Sequence, residues 1–126
     1  MKYRPPMSVL RRQARRGHQG YPIATVAFYG PDDQRASKVV LGILRTEGGE
    51  PELEKWTCAA GDLRLDVGRM SQVLDRMRAH GIRSVVMFDR IIGCPHEEGV
   101  DYPEGQACPQ CDFWRGRNRF TGEYEL

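Results

Sequence analysis

The chain has 126 residues, 40% hydrophobic and 29% charged, with a net charge of +2. A length of this order suits one domain, residues 1–126, and the composition excludes wholesale disorder. No apolar run reaches the ~18–20 residues of a membrane span, and the start Met1-Lys2-Tyr3-Arg4-Pro5-Pro6 lacks the apolar stretch of a signal peptide; the expectation is a cytoplasmic protein with no membrane partner.

Pro5-Pro6 and the run from Met7 to Gly17 predict a short basic N-terminal helix, because proline suits a first helical turn and glycine a helix end. Its apolar side, Met7, Leu10 and Ala14, is thin, so such a helix must dock to persist. Tyr21 to Tyr29, rich in β-branched and aromatic residues, reads as a strand. After the turn residues Gly30-Pro31-Asp32-Asp33, Ser37 to Arg45 reads as an antiparallel second strand. A third is expected over Leu53 to Cys58. Asp66 can cap a helix running to about His80, with Met70, Val73, Leu74 and Met77 at helical spacing and Gly81 as a left-handed stop. Ile82 to Asp89 then reads as a buried strand. The expected class is α+β: a small, mostly antiparallel sheet of about four strands, one main helix on one face, the basic helix, and a C-terminal zinc-bound loop.

Charge divides the chain further. Residues 1–20 form a basic arm with six basic side chains and no acid, whereas residues 21–93, the α+β core, balance ten against ten. Residues 94–112 hold Glu97, Glu98, Asp101, Glu104 and Asp112 with no base, and the 112–126 tail carries Arg115, Arg117 and Arg119 beside Phe113, Trp114 and Phe120.

The four cysteines carry the chemistry. In a non-secreted chain, close cysteine spacing points to metal or redox chemistry before disulfides. Cys108-Pro109-Gln110-Cys111 is a C-x-x-C whose proline favours a tight turn, and Cys94 and His96 are two residues apart, so in extended chain they point the same way. Gly99, Pro103 and Gly105 lie between the two pairs and let the chain fold back. Three thiolates and one imidazole complete a tetrahedral zinc set. The 94–111 tract has few large apolar side chains beyond Val100 and Tyr102 and cannot fold by burial, which predicts a structural role for the metal. The zinc centre would be formally −1, so an arginine-rich neighbour is expected, from the first helix or from Arg115-Gly116-Arg117. Cys58 stands apart as a strand residue.

These residues resemble three known patterns. The tract resembles zinc-ribbon and zinc-knuckle proteins at Cys94, His96, Cys108 and Cys111, which implies binding to nucleic acid or protein; it also looks like stretches of uncharacterised bacterial proteins. His96-Glu97-Glu98 followed by Cys108-Pro109-Gln110-Cys111 resembles the H-x-E … P-C-x-x-C signature of nucleobase deaminases, which implies ligands at His96, Cys108 and Cys111 and a proton shuttle at Glu98. Nine residues between Glu98 and Cys108, and Ala107 where that signature has proline, depart from it. Cys-Pro-x-Cys also resembles the glutaredoxin active site.

The expected function is a zinc-binding module for RNA or a nucleoprotein, with an acidic protein as the other partner class and a deaminase-like hydrolase as the alternative. Arg11, Arg12, Arg15, Arg16, Arg115, Arg117 and Arg119 would neutralise phosphates, and Trp114 would stack on unpaired bases. His80 suits a helix C-terminus, and Asp89 is expected to be a turn carboxylate or an acceptor for His96.

Overall fold

A computed structural model describes residues 4–116. Helix α1 covers Pro6–Arg15, followed by strands β1 (Ile23–Tyr29), β2 (Lys38–Leu44) and β3 (Glu52–Thr57). A 3-10 turn at Leu63–Leu65 leads into helix α2 (Val67–Ala79), then strand β4 (Ser84–Ile91), and a second 3-10 turn at Asp112–Trp114 ends the described chain. The α+β class and the four strands agree with the sequence reading. The sheet order is β3-β2-β1-β4. β1–β2 and β2–β3 pair antiparallel, but β4 pairs parallel to β1, so the sheet is mixed. The reason is the crossover: α2 carries the chain from the β3 edge across one face to the opposite edge, a connection that a parallel partner needs.

Alternation places one row of side chains from β1 and one from β2 inside. Ala24, Val26 and Phe28 of β1 sit opposite Ile43, Leu41 and Val39 of β2, and all six are buried. Met70, Val73, Leu74 and Met77 of α2 cover this row, as their spacing predicts. The Asp66 carboxylate accepts from the Arg69 amide and caps α2, and Gly81 turns the chain away at φ 64°. Two polar links tie α2 to β3: Trp56 Nε1 donates to Gln72, and Arg76 grips Glu54.

The basic helix docks on its own sheet, packing against β4 and α2 through buried Pro6, Met7 and Leu10. Its flanking Arg11 donates to Asp89 of β4 at 2.9 Å. On the other sheet face Leu53 and Val86 are exposed, while the Lys38 and Lys55 end meets the 94–111 tract. No helix among the described residues is long and apolar enough to cross a membrane.

Candidate metal centre

Two residues separate Cys94 from the end of β4, and the Ile92 amide still donates to Phe28 O at 2.9 Å, so the sheet sets the position of the first donor. The Gly30 amide donates to Gly93 O at 2.9 Å, tying the turn after β1 to the residue before Cys94. No other residue fits at position 30, because a Cβ there would meet Arg35 O at 2.0 Å. The chain then turns back through a ring of local hydrogen bonds. The Glu97 amide donates to Asp101, the Gly99 amide to Tyr102 O, and the Gly105 amide to the Glu98 carboxylate at 2.9 Å. These return the C-x-x-C pair to Cys94 and His96, and Tyr102 is buried with the three cysteines.

The donor atoms of Cys94, His96, Cys108 and Cys111 all lie within 4.8 Å of one another. His96 Nδ1 is 3.2 Å from Cys94 Sγ and 3.5 Å from both Cys108 Sγ and Cys111 Sγ. A single ring nitrogen has one proton or one lone pair, so it cannot hydrogen-bond three sulfurs. The arrangement matches three edges of a coordination tetrahedron: zinc bonds of about 2.3 Å to sulfur and 2.0–2.1 Å to nitrogen put S and N roughly 3.5 Å apart. Four donors close around one point, and the group is a possible metal site.

The electrostatics agree. Burial raises the Cys94 and Cys111 thiols above their ordinary range, and for Cys111 the neighbouring Cys94 adds to the rise. Burial pushes Cys108 up too, but hydrogen bonds from the Gln110 amide and from the other two cysteines bring it below the usual value. Thiolates this close repel one another, and a divalent cation among them removes that repulsion.

Lys38, the first residue of β2, is a residue that sequence reasoning missed. It is buried, yet its ammonium donates to Pro95 O at 3.0 Å and to Glu97 Oε1 at 3.2 Å, clamping the Cys94–His96 segment from below. Lys55 of β3 also pairs with Glu97, and the two ammonium groups, Lys55 foremost, hold the Glu97 carboxyl below its ordinary range. The signal was present: a lysine opening the otherwise apolar run Lys38 to Leu44. The expected arginine neighbour is thus mostly lysine. Among the described residues the acidic tract pairs with Lys38, Lys55 and, through Asp112, Arg115; none of its ion pairs goes to α1.

The remaining sequence candidates are distributed. Arg12 and Arg15 on α1 and Arg16 at its C-cap lie exposed without an ion pair among the described residues, whereas Arg11 is paired to Asp89. Trp114 is half-buried between the sheet core and the cysteine cluster, its indole N–H given to Gly30 O. Arg117 and Arg119 lie outside the described residues. Cys58, just after β3 and half-buried, is separate from the cluster, and His80 caps the C-terminus of α2 between Arg45 and Arg76. The Cys108–Cys111 turn opens onto a 3-10 turn at Asp112–Trp114 rather than an α-helix. No protein-family model matches the chain, and neither does any curated protein or solved structure.

Proposed function

We propose that this chain is a small binding module whose C-terminal tract is held by a structural zinc ion at Cys94, His96, Cys108 and Cys111, and whose α1 face binds RNA, free or within a nucleoprotein. Three soft thiolates and an imidazole in a tetrahedral set favour zinc. Cys94 fills the position that a hydrolytic site keeps for water, and Glu98 holds the Gly105 amide; both support a structural over a deaminase-like role. Four free cysteines suit a reducing, cytoplasmic setting.

The observation that carries the binding half is how α1 docks. Its apolar side faces the core and Arg11 is neutralised by Asp89, while Arg12, Arg15 and Arg16 face outward with no internal anion among the described residues. Arginine forks match phosphate oxygens. Metal analysis of protein purified without added zinc should give about one zinc per chain, and under half an equivalent sinks the metal assignment. Affinity for single-stranded RNA should fall steeply with salt, and replacing Arg12, Arg15 and Arg16 by glutamine should lower the magnitude of the log–log salt slope by about 2. Absence of binding at low salt, with an acidic protein captured in its place, would transfer the α1 face to that partner class.

A further inference from the structure

Beside the exposed row of α1 lies a groove of about 330 Å³ lined by Arg4, Val9, Arg12, Gln13 and Arg16. Val9, Arg12, Gln13 and Arg16 recur at intervals of three and four and form one stripe along the helix. Arg4 approaches from the preceding segment, where the Pro5–Pro6 pair restricts the backbone and fixes the direction of approach. No acidic residue lines the groove, and none of its three arginines has an ion pair among the described residues. Arg12 and Arg16 are like charges one helical turn apart, a spacing that destabilises a helix. The helix dipole relieves this for residues near its C-terminus, but not for Arg4, which stands before the N-terminus.

We propose that this groove binds a phosphate monoester, namely the 5′-phosphate end of an RNA strand. The proposal rests on the RNA reading above and narrows it to one end of the strand. Three arginine side chains lining one groove differ from a row of charges strung along a surface. A backbone diester carries one charge and suits the row. A monoester is close to a dianion at neutral pH and presents three strong acceptor oxygens, matching several forked donors at one place. Val9 offers an apolar surface for the attached nucleoside, and the Gln13 amide supplies both a donor and an acceptor for its polar edge. Arg15 does not line the groove and is left to contact the backbone beyond.

The test uses the full chain loaded with zinc and two labelled single-stranded RNAs of one sequence, one bearing a 5′-phosphate and the other a 5′-hydroxyl. Fluorescence anisotropy at fixed salt should show the phosphorylated strand binding at least tenfold more tightly. Arg12→Gln, Arg16→Gln and Arg4→Gln should each collapse that ratio toward one; Arg4 precedes the helix, so its substitution leaves the α1 turns intact. Arg15→Gln should weaken both strands and keep the ratio, and circular dichroism with zinc content verifies each fold. Equal binding of the two strands by the unaltered protein overturns the 5′-phosphate assignment while RNA binding stands. Binding of neither strand overturns both. A ratio that survives all three groove substitutions places the discrimination elsewhere and also overturns the proposal.

Discussion

The indole N–H of Trp114 donates to the carbonyl of Gly30 across 2.7 Å, although 84 residues separate them. The Gly30 amide is bonded to Gly93 O, so one glycine fastens both the entry to the cysteine tract and its exit. Trp114→Phe removes the donor and keeps most of the packing, and should cost about 1 kcal/mol in urea unfolding. Trp114→Ala also removes the contacts to both buried clusters and should cost about 1–3 kcal/mol more, with weaker metal retention. Equal effects from the two variants would show that the hydrogen bond alone fastens the tail, and an unchanged Trp114→Phe that packing does.

Lys38 should control metal affinity without touching the metal. Lys38→Met keeps the stem but leaves Pro95 O and one partner position on Glu97 unfilled. Losses of about 10–100-fold are typical when the groups supporting a ligand are removed. Competition against a chromogenic chelator should therefore show at least a tenfold weaker zinc site, while far-ultraviolet circular dichroism of the zinc-saturated protein stays unchanged.

Asp62 gives stability a definite acid limit. Burial raises its carboxyl, but hydrogen bonds from the Arg64 side chain and amide outweigh that and hold it below the ordinary value. A folded pKa below the unfolded one contributes stability that is full above the unfolded value of about 4 and is lost as pH falls through the folded value. Asp62→Asn should therefore melt below the wild type at pH 6, and the gap should close as pH drops beneath about 4. Arg64 also holds Asp89 O and Gln34 O, so the variant should loosen the turn before α2 first.

Leu10 is fully buried and is the chief apolar anchor of α1. Leu10→Ala should cost about 2–5 kcal/mol. Because it frees the helix that carries the outward arginines, it should also reduce RNA affinity at constant charge, which anisotropy can measure beside the melting curve.

The local elements were legible because each rested on neighbours in sequence. The 3.6-residue recurrence of Met70, Val73, Leu74 and Met77, the Asp66 cap and the β-branched, aromatic run of β1 all appear in the structure. The cluster of Cys94, His96, Cys108 and Cys111 was legible because two short pairs, Cys94/His96 and Cys108/Cys111, each fix their own direction. What eluded the sequence depends on residues brought together from afar. The parallel β1–β4 pairing follows from where α2 leaves the chain, and the Arg11–Asp89 contact spans 78 residues. Lys38 could be recognised as a clamp only once β2 lay beneath the Pro95 carbonyl.

The mixed sheet bears on the order in which the protein assembles. β1, β2 and β3 pair with their sequence neighbours and can form early, whereas β4 must wait for the α2 crossover and the cysteine tract for β4. A metal held by the four donors would then close over the strand that arrives last. Interactions made after the folding barrier slow unfolding and leave the folding rate nearly untouched. Stopped-flow measurements should find that stripping the metal steepens the rate of escape from the native state while refolding of the sheet keeps its pace, so that the ion acts as a latch on lifetime.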